Sequence, residues 1–339
     1  INLPVPFPDA LQEFSVQTSS LPARYGLHPG AVVNAVTKSG TNSMHGDLFE
    51  FLRNGDVNAR NTFAARHDTL KRNQFGGTFG DKIIRDKLFF FGGFQGTRQR
   101  TDPPQSVAYV ATPATLAGDF SAIDGPGCIS GGKGRQLVDP YTKTPFANNQ
   151  IPTSRFNPQA LNLLKYVPTS NDPCGKITYG IPSTGDENQG IGRIDWVQNT
   201  KHSLFGRYFI ADYQNPAVFD GKNLLTTTAA GSDERVQSLT LGDTYAINGT
   251  FVNSFHVTAS RRRINRGPAA NLINPSDLGV NITTPDKNIL QASVSSYFNV
   301  GCGTCASAFF NANTFQYADD VDIIHGRHQM AFGVNAIRY

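Results

Sequence analysis

Apolar and polar residues alternate along most of the chain after residue 45, in segments of about ten residues each. A tilted strand of about that length crosses the hydrocarbon core of a bilayer. The pattern predicts nine strands, over residues 46–53, 73–80, 88–98, 189–197, 202–213, 235–247, 251–263, 313–323 and 328–339. Two earlier β-type runs, 11–18 and 31–38, flank turn-forming residues and are typical of the close of a small mixed domain.

The connections between the predicted strands alternate in length. Short turns are predicted at 81–87, 198–201, 248–249 and 325–327, whereas long links run over 99–188, 214–234 and 264–312. Short turns on one side of a sheet and long loops on the other are the layout of an outer-membrane β-barrel. A soluble β-sandwich or propeller alternates apolar and polar residues in the same way, but its connections are usually short.

The alternation also predicts which side chains share an apolar face, although it does not distinguish a face against lipid from one against a protein core. In the last predicted strand the apolar face carries Met330, Phe332, Val334 and Ala336. The strand 235–247 departs from the rule because Asp243 shares a face with apolar side chains, and we expect a bulge or a different register there.

Two small sets of residues on these strands are candidates for function. Three charged side chains on the polar faces are expected to line a hydrated lumen: Arg193, Asp195 and Arg207. Three aromatic side chains on the apolar faces are expected to anchor the sheet at the membrane interface: Trp196, Tyr208 and Tyr245.

Composition narrows the class of protein. The mean hydropathy is −0.31 and the sequence has no run of about 18 apolar residues, which excludes a transmembrane helix. High glycine (33), proline (20) and phenylalanine (24) with only 17% charged residues indicate strands and long loops. The net charge of +4 is small, and the one dense basic run, 261–263, is explained more simply by the polar end of a strand than by a nucleic-acid site.

Four cysteines fall in the predicted long loops: Cys128, Cys174, Cys302 and Cys305. The Cys-Gly-Thr-Cys spacing also occurs in redox and zinc half-sites, but neither the helix of a redox pair nor two further zinc ligands is visible. We therefore favour disulfides in an oxidising compartment, pairing Cys128 with Cys174 and Cys302 with Cys305.

Two further motifs carry weaker signals. Residues 127–133 match part of a phosphate-binding loop, but Gly134 follows where Ser or Thr is required, so a flexible loop is the simpler interpretation. His325 and His328 bracket a tight turn and have the spacing to share a metal, although a polar turn needs no metal to explain them. Without a catalytic constellation in a supporting context, we expect no enzyme activity and no cofactor.

Several segments resemble the junction between plug and barrel in TonB-dependent outer-membrane receptors, and most closely the Oar-like branch. The segments that carry the resemblance at the junction are 21–26, 30–42 and 45–54, followed by the hairpin segments 72–77 and 86–92 and the loop segments 118–121, 138–140 and 148–152. The sequence departs from the family pattern at Arg24, where Glu is common, and at Gly80-Asp81-Lys82, where a Gly-Pro step is usual.

The resemblance implies a fold, a location and an activity. Residues 1–43 would close the plug and residues 44–339 would begin the barrel, so the chain would be an internal piece and would form an open curved sheet. The whole barrel should reach about 22 strands in the bacterial outer membrane. A TonB complex, acting through a segment that precedes this chain, would pull on the plug and admit a small-molecule or oligomeric ligand such as a siderophore, an oligosaccharide or a peptide.

Two rival hypotheses come from other classes. A surface-exposed adhesion or carbohydrate-binding protein without transport would stay in solution without detergent. A passive porin would lack the plug segment, and residues 30–42 argue against it.

Overall fold

The computed structural model of the protein describes residues 4–18, 31–60, 62, 67, 69–102, 106–284, 288–302 and 305–339. The segment 21–26 and the turn before residue 31, on which part of the family resemblance rests, lie outside the described residues. The strands of the described part are β1 Leu11–Gln17, β2 Val32–Thr37, β3 His45–Asn54, β4 Lys71–Ile84, β5 Leu88–Thr101, β6 Ser106–Tyr109, β7 Lys176–Tyr179, β8 Ser183–Asn199, β9 His202–Asn215, β10 Gly231–Asn248, β11 Phe251–Gly267, β12 Gln291–Val294, β13 Phe298–Gly301, β14 Ala308–His325 and β15 His328–Arg338. The α-helices are α1 Pro113–Leu116 and α2 Pro158–Leu164.

Nine of the described strands form one antiparallel sheet. Its order is β15-β14-β11-β10-β9-β8-β5-β4-β3, so that each strand pairs with the next one along the sheet and β3 and β15 form its two edges. All eight pairings are antiparallel. The predicted all-β fold with nine strands of an open barrel sheet is confirmed.

The strands are longer than the alternation predicted, mainly towards the long loops. β8 begins at Ser183 and β14 at Ala308, and β4 continues to Ile84, which shortens the predicted turn at 81–87. An ion pair between Arg100 and Asp186 joins the added ends of β5 and β8, and the pairs of Arg235 with Asp212 and of Arg262 with Glu234 lie where the predicted strands end. The added residues are largely polar or charged, so the alternation of apolar and polar residues gave no sign that the ladder continues.

The large sheet has two chemically different faces. We call the face that carries Phe90, Ile194 and Leu241 the outer face, and the face that carries Phe91 and Arg193 the inner face. Outer-face apolar side chains remain exposed, with 53% of Ile194 and 53% of Leu241 accessible. Such a continuous exposed apolar face is typical of a surface that contacts a membrane or another protein.

No described helix has the length and hydrophobicity needed to cross a membrane.

Asp243 lies on the outer face without a bulge. The pairing of β10 is continuous across it, with Leu204 of β9 on one side and Phe255 of β11 on the other. The expected bulge or change of register at Asp243 is therefore wrong. A hydrogen-bonding partner explains instead why Asp243 is tolerated on this face, because Nε2 of His202 lies 2.8 Å from the Asp243 carboxylate.

The residues before β3 pack against the inner face. β1 and β2 form an antiparallel pair, in agreement with the β-type runs of the sequence. Phe7 and Ala10 are buried together with Phe91, Ile191 and Phe209 of the large sheet. This cluster joins the N-terminal segment to one wall of the sheet.

Candidate functional site

The three long loops of the sheet fold into one unit, which we call the loop cap. It comprises the described residues between 102 and 182, between 216 and 230 and between 268 and 307. All three loops contribute to one buried core, whose members include Val110, Val167, Phe219, Leu224, Leu225, Leu272, Leu278, Leu290 and Val300. Leu224, Leu225 and Val300 are fully buried, so the cap has the interior of a small folded domain.

Backbone hydrogen bonds tie the loops of the cap together. The amide of Leu224 donates to the carbonyl of Tyr166 (2.8 Å), which joins the second loop to the first. The amide of Gly301 donates to the hydroxyl of Thr227 (3.0 Å), which joins the third loop to the second. The amide of Tyr109 donates to the carbonyl of Tyr297 (2.9 Å) and closes the ring of contacts.

Two disulfides lie in the cap. One joins Cys128 to Cys174 across 46 residues, and the other joins Cys302 to Cys305. The segment 127–133 lies in consecutive turns beside the first disulfide and is followed by extended chain. It does not have the strand–loop–helix arrangement of a phosphate-binding loop.

Two carboxylates organise turns of the first and second loops, and they belong to the buried Asp139 and the exposed Asp220. Asp139 accepts a hydrogen bond from the amide of Tyr141 (2.9 Å) and pairs with Arg155 (2.8 Å), and these bonds hold the pKa of Asp139 below its usual value. Asp220 accepts from the amides of Asn223 and Lys222 (2.8 Å each), which lower its pKa in the same way.

A cleft of about 830 Å³ opens between the antiparallel pair of β6 and β7 and the β12–β13 hairpin, and we call it the polar cleft. Hydroxyl, amide and aromatic side chains line it together with aliphatic ones such as Val107 and Ile181, and the first group includes Ser106, Tyr179, Ser293, Tyr297, Phe298 and Asn299. None of the described residues that line the polar cleft is charged. Its size lies within the range of ligand pockets.

A second cavity of about 480 Å³ lies behind the polar cleft, and Tyr297 and Phe298 line both. Its other walls are mainly apolar and come from the first loop, for example Phe120, Phe156 and Leu164. A hydrogen bond from Nη2 of Arg135 to the Tyr297 hydroxyl (3.2 Å) fixes the ring between the two cavities.

The charged residues predicted for the lumen lie on the inner face. The guanidinium of Arg193 pairs with Asp195 (2.7 Å) and donates to the backbone carbonyl of Thr37 at the end of β2 (2.9 Å). Arg207 lies opposite Arg193 in the ladder, and its Nη2 donates to the Thr240 hydroxyl (3.3 Å). The three residues therefore meet on the face that the N-terminal segment covers.

The aromatic residues predicted as anchors lie on the outer face and are exposed. Trp196 and Tyr245 lie near the short turns, and the ring of Tyr245 meets the edge of His202 with centroids 5.3 Å apart. Tyr208 lies nearer the loop cap, and its hydroxyl accepts from Gln237 (2.6 Å). Their role at a membrane interface stays a prediction.

The sequence did not reveal the polar cleft. Its walls come from residues near 106, 179 and 293–299, which are far apart in the chain and belong to no alternating strand of the sheet. The apolar residues around Leu224 and Leu278 were a usable signal, because long hydrated loops have no need of them.

The chain belongs to the outer membrane beta barrel domain family, whose model matches residues 36–339. The protein is therefore located in the bacterial outer membrane, and the exposed outer face is the face that meets lipid.

Among curated proteins, the chain is similar to the TonB-dependent transporter Oar of Myxococcus xanthus. The two are 33% identical over 92 residues, which cover 25% of this chain and 9% of that protein. Among solved structures, the siderophore receptor PirA from Acinetobacter baumannii matches with a TM-score of 0.50 and 12% identity, over 97% of this chain and 35% of that chain. The likeness to PirA shows the fold alone, and the chain spans about a third of that receptor.

Proposed function

We propose that the chain is part of a TonB-dependent outer-membrane receptor that takes up a ligand too large for porins. Residues 1–43 form the end of the plug and residues 44–339 form the first part of the barrel. The loop cap captures the ligand, since its cavities lie on the side of the sheet opposite the short turns. Uptake is then a mechanical rearrangement of the plug and needs no catalytic residue.

The contact between the N-terminal segment and the inner face carries this proposal. A Cβ atom at Gly40 would lie 2.3 Å from the carbonyl oxygen of Phe90, so the backbone of the segment touches the backbone of β5. The ring of Phe7 occupies the space that a side chain at Gly93 would need, at 2.9 Å from its ideal Cβ position. A passive porin has no reason to fit a separate segment so closely against its inner wall.

The polar part of the same contact suits a plug that must move. Arg193 binds the Thr37 carbonyl and hydroxyl while it stays paired with Asp195, so it has a partner on the barrel whether or not the plug is docked. Hydrogen bonds to a charged group contribute about 1.5–3 kcal/mol each, which holds the plug end without fixing it permanently. Arg193 is therefore the residue we expect to bind and release the plug.

The proposed partners follow from the faces of the sheet. Outer-membrane lipid covers the outer face, and the TonB complex binds a segment N-terminal to this chain. A small-molecule or oligomeric ligand binds the cap, and no nucleic acid is involved because the net charge of +4 includes no clustered basic face.

Co-purification with TonB tests the proposal. The full-length receptor, solubilised in detergent, should retain the periplasmic domain of TonB and should lose it when the segment N-terminal to Ile1 is deleted. A matched variant, Tyr141→Ala in the loop cap, should retain TonB as the wild type does. Failure of the full-length receptor to retain TonB, or retention that does not depend on that segment, would contradict energy-coupled uptake and favour adhesion without transport.

A further inference from the structure

We infer that the polar cleft binds an uncharged oligosaccharide. The inference rests on the proposed function, since it names the substrate class of the loop cap, and it goes beyond that function because nothing in the family membership selects a ligand. Three features of the cleft support it, namely the charge of the lining, its hydrogen-bonding groups and its aromatic rings.

The charge of the lining excludes the strongly ionic ligand classes. Ferric siderophores with acidic groups and acidic peptides need Lys or Arg in the site to balance their charge after water is removed. None of the described lining residues of the polar cleft is charged. The cation behind it, Arg135, is already paired with the buried Asp124 at 2.5 Å and is directed to the Tyr297 hydroxyl.

The hydrogen-bonding groups of the cleft fit a ligand rich in hydroxyls. Serine hydroxyls and amide side chains both donate and accept, which is the capacity that a sugar hydroxyl requires of its partners. Ser293 and Asn299 lie opposite each other on β12 and β13, with the Ser293 hydroxyl donating to the Asn299 amide oxygen at 2.5 Å. Asn299 lines the cleft, so its amide nitrogen can donate to a ligand while its amide oxygen accepts from Ser293.

Two tyrosine rings give the cleft flat apolar surfaces. Tyr297 is held at its backbone carbonyl by Tyr109 and at its hydroxyl by Arg135, so the ring is fixed before a ligand arrives. Tyr179 lines the other side, opposite Ser106 in the ladder of β6 and β7, and burial raises the pKa of its hydroxyl. Rings fixed in advance lose little entropy when a sugar stacks on them, which favours binding.

An extended peptide is the strongest competitor for the same cleft, because the β6–β7 pair and the β12–β13 hairpin both present short strands to it. These strands are only four residues long, and the backbone amide of Tyr109 already donates a hydrogen bond to the carbonyl of Tyr297. A peptide added as a strand would therefore find too short an edge, since main-chain hydrogen bonds supply most of the affinity in that mode.

A glycan array probed with the detergent-solubilised full-length receptor tests the inference, with neutral and acidic oligosaccharides printed side by side. We expect binding to neutral oligosaccharides and not to acidic ones. The dissociation constant of the best neutral glycan should rise at least about tenfold in Asn299→Ala and in Tyr297→Ala, which corresponds to about 1.4 kcal/mol. Tyr141→Ala is the matched control, because Tyr141 is 85% exposed in the same cap and does not line the cleft.

Three results would overturn the inference. They are the absence of any neutral glycan that binds, binding that both cleft variants retain at wild-type strength, and binding of ferric siderophores or peptides that the cleft variants abolish. Cap integrity in each variant is checked by the protection of Cys128 and Cys174 from alkylation without reductant. Each of these results leaves TonB retention untouched, so failure of the inference is distinguishable from failure of the proposed function.

Discussion

At the scale of single residues, the carboxylate of Asp243 on the outer face has a structural explanation. His202 and Asp243 face each other across β9 and β10 with 2.8 Å between Nε2 and the carboxylate, amid side chains such as Leu204 and Phe255. The pair lies near the short turns, beside Tyr245. A carboxylate is tolerated on this face because an imidazole pairs with it.

Replacement of His202 by Ala should destabilise the barrel by about 1–3 kcal/mol, because Asp243 is left on the apolar face without its partner. The midpoint of urea unfolding, followed by the gel shift between folded and unfolded receptor, measures the loss. The double variant His202→Ala/Asp243→Leu should recover most of the stability. If the double variant is as unstable as the single one, pairing is not the reason that Asp243 is tolerated.

Gly40 is the second residue whose identity the structure requires. A Cβ there would lie 2.3 Å from the carbonyl oxygen of Phe90 and 2.5 Å from that of Asp81, and backbone atoms cannot move aside cheaply. Gly40→Ala should therefore weaken the docking of the N-terminal segment on the inner face by about 1–3 kcal/mol and expose the segment before β3 to limited proteolysis. Gly92→Ala is the control, since the nearest atom to its Cβ is 3.8 Å away. Equal cleavage of the two variants would contradict the contact.

At the scale of elements, the strands of the sheet could be predicted from the sequence, whereas the elements of the cap could not. Alternation along the sequence predicted β9, β11 and β15, because successive side chains of a strand point to opposite faces of the sheet. The short strands and helices of the cap carry no such period. Their stability comes from contacts between distant loops, such as Leu224 with Val300, which local pattern cannot reveal.

The candidate site was predictable to the same uneven extent. Charge and alternation were enough to place Arg193 and Arg207 on the inner face, and the confinement of cysteines to loops suggested the two cross-links. The sequence gave no sign of Tyr297 and Asn299, because they line the cleft only where the third loop packs against the first. The alternation of apolar and polar residues indicates which face of a strand is apolar, but it does not indicate which loops pack against each other.

Removal of the disulfide between Cys128 and Cys174 should loosen the cap and leave the sheet intact. Closing a loop of 46 residues stabilises by about 4 kcal/mol in the chain-entropy estimate, although the cap core offsets part of the loss locally. The Cys128→Ser/Cys174→Ser variant should show faster hydrogen exchange in the first loop and unchanged exchange in β8 to β11.

The second disulfide provides the control for that experiment. Cys302 and Cys305 are only 3 residues apart, so their replacement by Ser should have less than half the effect. Faster exchange throughout the sheet in the Cys128→Ser/Cys174→Ser variant would show that cap and sheet unfold together, which contradicts the separate core of the cap.

At the scale of the whole molecule, the outer face sets the environment the protein needs. Phe332 is 60% exposed on the outer face, alongside Ile194 and Leu241 at 53% each. In water such a face would cost about 25 cal/mol for each Å² of apolar surface left uncovered. The open edges at β3 and β15 add unpaired backbone groups, which a bilayer tolerates only when the barrel is completed.

The most direct test is therefore the location and gel behaviour of the full-length protein in fractionated cells. We predict that it sediments with the outer membrane and migrates faster on a denaturing gel before heating than after, as a detergent-resistant barrel does. A protein recovered in the soluble or secreted fraction, with migration that heating does not change, would contradict the assignment of the outer face to lipid and with it the account of uptake.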